Sequence, residues 1–203
     1  METSRICQRA LTVVDRPAVL FMASAFSHAF MALALGKASN HSVMTGQILF
    51  VGIVCSIVPD LDVIGFSFGI RYGDLWGHRG FTHSLFFACL LSAVLVELWY
   101  RWQSPSAKVR LFLYFFLCTA SHGVLDAMTD GGLGIAFFSP FDTTRYFFAV
   151  RPVAVSPIGI GEFFTADAFR VLASEITWIW LPTLGAWFLL RSLQRIWSGR
   201  PEG

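Results

Sequence analysis

Apolar residues in this chain gather into long runs, and only a few polar positions interrupt them. A helix needs about 20 predominantly apolar residues to cross the hydrocarbon core of a bilayer. Runs approaching that length lie near 18–35, 81–100, 109–128 and 176–190. Another, 46–58, is short and ends at Pro59-Asp60-Leu61-Asp62. Proline disfavours helical geometry in the residue before it, so the pattern predicts a break there, followed by a re-entrant apolar piece at 63–70. Non-helical backbone survives at membrane depth only where protein or enclosed water satisfies its polar groups. A break of this kind therefore marks a site.

The segment 129–175 carries Gly131-Gly132, Pro140, Pro152, Pro157 and many aromatics. It is too apolar for a disordered linker and is expected to fold back over the face of the site. The expected architecture is all-α: a single transmembrane domain, 1–203, built as a polytopic helix bundle of four to five spans. One of its segments is short or re-entrant, and one loop is long and folded.

Composition sharpens this picture. Of 203 residues, 55% are hydrophobic and 14% charged, with 21 phenylalanines; an ordinary soluble domain is about 25% charged. A soluble fold of this size buries only about two-thirds of the surface its unfolded chain exposes, so the bilayer must act as part of the solvent. The net charge of +2 suggests no nucleic-acid partner. Positive residues divide almost evenly between the two sides of a five-span arrangement, so they assign no orientation. Arg5, Arg9 and Arg16 precede the first run, and Ala32–Ala34 offers small residues to a peptidase. That run is long for a signal sequence and carries His28, so it is expected to be retained. Cys7, Cys55, Cys89 and Cys118 form no C-x-x-C pair, and the last three are expected to be small core residues.

The chemistry lies in the polar interruptions. His28, Asp60, Asp62, His78, Arg79, His83, His122 and Asp126 all sit in or beside apolar runs. A charge at bilayer depth costs on the order of 3 kcal/mol on insertion scales, so eight such positions need a shared explanation. In antiparallel crossings, the end of one helix, the start of the next and the end of the one after lie at the same face. Asp60 and Asp62 end the second run, His78, Arg79 and His83 open the third, and His122 and Asp126 end the fourth. His28, expected midway along the first, can point into the same bundle.

Four residues separate His122 from Asp126, which puts them on one helical face. Thr82 or Ser84 is expected to cap the third helix and aim its positive end at the pocket. Imidazole and carboxylate donors suit zinc first, then manganese or iron. His28, Asp60, Asp62, His78, His83, His122 and Asp126 are the candidate ligands for one or two divalent ions. Asp62 is also a candidate general base, and Arg79 a candidate donor to developing negative charge. Blander explanations exist for each residue alone: a buried interhelical hydrogen bond for any one histidine or for His122 with Asp126, and a structural ion pair for Arg79 with Asp62.

Together, His28, Pro59-Asp60-Leu61-Asp62, His78-Arg79-Gly80-Phe81-Thr82-His83-Ser84 and His122 with Asp126 resemble the YdjM/YbcI-like family of bacterial inner-membrane proteins, described as membrane-bound metal-dependent hydrolases. The run from Asp126 to Gly134, then Pro140-Phe141 and Tyr146-Phe147-Phe148, resembles it too, so the likeness covers residues 25 to 160. The resemblance implies a multi-pass protein of the bacterial inner membrane with a metal centre on these positions. It names no substrate. The expected function is hydrolysis of a lipid-like phosphoester or ester at the membrane face, with membrane lipids as partners. The alternatives are a transporter for divalent cations or protons built on the same residues, and a non-catalytic scaffold clamped by metal.

Overall fold

The computed structural model describes residues 21–22, 24–39, 43–157 and 167–198. The beginning of the first expected run at 18–20, Arg5, Cys7, Arg9, Arg16, His41 and the 158–166 part of the long loop lie outside them. Helices dominate: α1 (Ala25–Ala38), α2 (Gly46–Ile57), α3 (Leu85–Trp99), α4 (Pro105–Ala127), α5 (Asp167–Glu175) and α6 (Leu181–Ser198). Residues Ile176–Trp180 join α5 to α6 as π-helix. Among the described residues, extended pairing is limited to the two-residue antiparallel contact of β1 (Phe21–Met22) with β2 (Ser156–Pro157) and two isolated bridges. The architecture is all-helical.

Of the four to five crossings expected, two stretches among the described residues have the length and composition to cross a membrane: Gly46–Phe68 and Pro105–Ala127, each 23 residues long. Leu85–Trp99 is a shorter apolar helix.

Local chemistry places the helix ends. The hydroxyl oxygens of Thr45, Ser84 and Ser104 accept from the N–H groups of Ile48, Phe87 and Ala107 at the starts of α2, α3 and α4, satisfying donors that a first turn leaves open. Of the two cap candidates for α3, Ser84 takes the role. At Pro59 the α-geometry stops, but the chain continues as a 3-10 helix, Val58–Phe68. Proline fits the first turn of this new helix, where its missing N–H has no intrahelical partner to lose. Gly69, with φ 80°, ends it in the left-handed region.

The helices approach closely where α1, α2 and α4 meet. Tyr114 donates its hydroxyl to the Ala32 carbonyl at 3.2 Å, and its ring lies so close to Gly52 that a Cβ there would collide with it. Small residues permit this kind of close approach between membrane helices. Ile48, Cys55, Val96, Leu111, Phe115 and Cys118 fill the space around it. Cys55 and Cys118 are buried as expected of core residues, whereas Cys89 is exposed. Because α2, α3 and α4 alternate in direction, the end of α2, the start of α3 and the end of α4 share one end of the bundle. The segment 129–155 is tied to that end by backbone bonds from Phe148 N–H to Ala127, Leu85 N–H to Phe137 and Ala136 N–H to Arg79.

Candidate metal centre

Two overlapping groups of possible metal ligands form at this end. Asp60, His83, His122 and Asp126 are all buried, and each offers an atom within 4.8 Å of the others. Asp62, His78 and His83 form the second group by the same measure. In the first group, His122 Nε2 lies 3.2 Å from Asp60 Oδ1 and 3.7 Å from Asp126 Oδ2, while His83 Nε2 lies 3.6 Å from Asp60 Oδ1 and 3.7 Å from Asp126 Oδ2. The two Nε2 atoms are 3.1 Å apart.

His28 adjoins the cluster. Its Nε2 is 3.7 Å from Asp126 Oδ1, and its ring stacks on that of His122 at 3.8 Å between centroids. It was expected midway along its helix, but α1 begins at Ala25, so His28 occupies the first turn. That position brings it level with the ends of α2 and α4.

The histidines are held from behind. The Nδ1 of His122 is 2.7 Å from the Ser56 carbonyl, which can only accept, so Nδ1 carries a proton and Nε2 is turned toward the carboxylates. His78 Nδ1 is 2.7 Å from Asp62 Oδ1. His83 Nδ1 lies 3.2 Å from Asp62 Oδ2 and 3.1 Å from the Thr82 hydroxyl. Metal-bound histidines are usually oriented in this manner, through the nitrogen that does not ligate.

Hydrogen-bond accounting tests whether a cation fits. Buried polar atoms are nearly always bonded. Here both oxygens of Asp60, both ring nitrogens of His28 and Nε2 of His78 are buried with no hydrogen-bond partner among the described residues. Imidazole nitrogens and carboxylate oxygens without a thiolate suit zinc, manganese or iron. The residues fit such an ion.

Arg79 serves Asp126. Its Nε is 3.3 Å from Asp126 Oδ2, and its terminal nitrogens donate to the Gly131 carbonyl at 2.7 Å and the Thr129 hydroxyl at 3.0 Å. The side chain is fully buried, and its φ of 64° puts a non-glycine residue in the left-handed region, a conformation that persists only where the surroundings impose it. Gly132 lets the 129–134 turn pass over the guanidinium, since a Cβ there would strike Arg79.

Several supporting residues went unmarked in the sequence. Arg145, from the long loop, donates to the carbonyls of Tyr72 and His78, both at 3.0 Å, and so fixes the loop that carries His78 and Arg79. Tyr72 stands with its ring edge-on to His78, and burial raises its phenol above the ordinary value. Glu175, expected at the end of a loop, is a buried helical residue that accepts from Ser24 N–H at 2.6 Å and from the Ser24 and Ser27 hydroxyls. It anchors the turn that bears His28. Thr82 carried a signal, since it lies inside His78-Arg79-Gly80-Phe81-Thr82-His83-Ser84. Arg145 and Glu175 carried none, because their partners are distant in sequence and mostly backbone.

Comparison with known proteins agrees with this constellation. Inner membrane protein YbcI of Escherichia coli (strain K12) is 35% identical over 161 residues, which cover 79% of this chain and 92% of that protein. No solved structure matches the chain. A sequence model of the YdjM inner membrane protein family matches residues 22–198, and with most of the length thus accounted for, the chain belongs to that family.

Proposed function

We propose that this protein is a metal-dependent hydrolase of the inner membrane, acting on a lipid-like phosphoester or ester at the membrane face. The observation that carries the reading is the burial of Asp60, His83, His122 and Asp126, from separate elements, with potential ligand atoms within 4.8 Å of one another. Four carboxylate and imidazole groups gathered out of water need charge compensation, which a divalent cation among them would supply. These residues, with His28, Asp62 and His78 around them, would hold the divalent ion, zinc first by donor chemistry. When bound, such an ion supplies Lewis-acid polarisation of an ester or phosphoester.

The protein's own groups do the rest. Asp62 orients His78 and His83, while Arg79 balances the charge of Asp126 and holds its carboxylate in place. For this reason Arg79 is assigned to positioning the centre rather than to touching substrate.

The membrane setting rests on family membership and on the apolar surface of the helices. Phe26, Phe50, Leu98 and Leu113 are all exposed, which suits a multi-pass bundle of four to five spans. Phe68, Trp76 and Phe141 are exposed on segments flanking the centre, where aromatic side chains suit the membrane interface. An ion pathway would need polar groups through the other end of the bundle. Ala32, Leu111, Phe115 and Cys118 occupy that interior, which favours hydrolysis over transport.

The test is metal analysis of purified protein, wild type beside Asp60→Ala and His122→Ala, with a screen of lipid and phosphoester substrates. Bound metal and turnover, both lost in the two variants, are expected. Metal without turnover on a broad panel would make the protein a scaffold, and ion flux in liposomes would make it a transporter.

A further inference from the structure

The two overlapping groups leave open whether the centre takes one ion or two, and the bonding of the three aspartates differs in a way that decides it. This inference rests on the metal-centre reading above. A carboxylate has about four lone-pair sites on its two oxygens. Most of those of Asp62 are taken: one on Oδ1 by His78 Nδ1 at 2.7 Å, and those on Oδ2 by the Thr82 hydroxyl at 2.7 Å, His83 Nδ1 at 3.2 Å and the Arg79 backbone N–H at 3.3 Å. Asp60 differs: its buried oxygens have no well-aligned hydrogen bond, and the groups nearest Oδ1 are His122 Nε2 at 3.2 Å and His83 Nε2 at 3.6 Å. One carboxylate is crowded by donors from outside the cluster; the other faces the two Nε2 atoms within it.

We infer that the centre is mononuclear: one divalent ion is held by Asp60, Asp126, His83 Nε2 and His122 Nε2, and Asp62 is the positioning carboxylate that orients His83 and His78 from outside. A second ion among Asp62, His78 and His83 would require His83 to ligate through both nitrogens, stripping the proton that its Nδ1 shares with Asp62 and Thr82.

Charge gives the same answer independently. With neutral histidines, Asp60, Asp62 and Asp126 against Arg79 and Arg145 leave one net negative charge, so one divalent ion leaves far less uncompensated charge in the buried site than two would.

The experiment is Zn2+ titration by calorimetry of the full chain in lipid nanodiscs, with elemental analysis of the loaded protein and electron paramagnetic resonance of a Co2+-loaded sample. Wild type should take up one ion per chain and give a magnetically uncoupled Co2+ signal. Asp60→Asn and Asp126→Asn should take up none. Asp62→Asn should still take up one, about 10- to 100-fold more weakly, as for loss of a group that orients a ligand. Thr82→Val, which removes one donor from Asp62 and no proposed ligand, should also bind one ion, with a smaller loss of affinity.

Two ions per chain in wild type with one remaining in Asp62→Asn, or an exchange-coupled Co2+ signal, would overturn the inference while leaving the metal-centre reading intact. Unchanged affinity in both Asp62→Asn and Thr82→Val would overturn the orienting role. Wild type that binds no Zn2+ would overturn the metal centre itself, and this inference with it.

Discussion

The two ends of α4 are built on opposed principles. Toward its beginning, Leu111, Phe115 and Cys118 pack against Ala32, Ile48, Cys55 and Val96, and specificity there comes from shape, with glycines admitting the Tyr114 ring. One to two turns further on, His122 and Asp126 face three other ionisable elements, and specificity comes from charge and hydrogen-bond geometry. In the apolar end, each contact contributes a little and neighbours can relax. In the polar end, every member depends on the others, because a group left alone in a buried site suffers the whole cost of desolvation. Within one helix, then, tolerance to substitution should fall abruptly between residues 118 and 122.

Four measurements would break or sharpen this contrast. The largest effect is expected from Asp126→Ala, which leaves the Arg79 charge buried without its partner. Removing one member of a buried pair costs about 3–5 kcal/mol, to be read from denaturant unfolding in mild detergent, and zinc uptake should vanish with it. A loss under about 1 kcal/mol would show that Arg79 is not confined as its burial indicates.

Chelation should come next. Stripping divalent ions from wild type should lower stability by about 2.7 kcal/mol relative to protein held at a free zinc concentration 100 times its Kd. Asp60→Asn should not respond to the chelator, and an equal response in both would place the ion elsewhere. Leu111→Ala should cost about 2 kcal/mol through the cavity it opens, yet leave zinc affinity unchanged. A tenfold weakening of zinc binding would show that the two ends are coupled. Smallest of all is Lys108→Gln at the far end, where Lys108 Nζ pairs with a mostly exposed Glu97 at 3.2 Å. An exposed pair contributes about 0–1 kcal/mol, so neither stability nor metal uptake should change measurably.

Much of the candidate site was legible in the sequence because the residues that form it are chemically out of place. Asp60, His83, His122 and Asp126 interrupt apolar runs where a charge is costly, and that cost marks them without any coordinates. Alternation of helix direction then brings them to one face. Legibility failed where a residue's role depends on a partner far along the chain. Thr82 was a candidate cap and instead donates to Asp62. Arg79 was weighed as an ion-pair partner of Asp62, and its guanidinium lies against Asp126. Glu175, lying 151 residues from Ser24, had no local pattern to declare it. The expected break at Pro59 became a change from α to 3-10 geometry, because proline removes a donor but still fits a first turn.

The all-helical character, the membrane family and the identity of the polar cluster were determined by the order of residues alone, since hydropathy and the cost of buried charge are local properties of the chain. Which aspartate faces the Nε2 cluster and which is crowded by donors was decided only by the tertiary structure. Asp60 and Asp62 are two positions apart and chemically identical; they differ because folding brings His78, Thr82 and the Nδ1 side of His83 to Asp62, and the Nε2 atoms of His83 and His122 to Asp60.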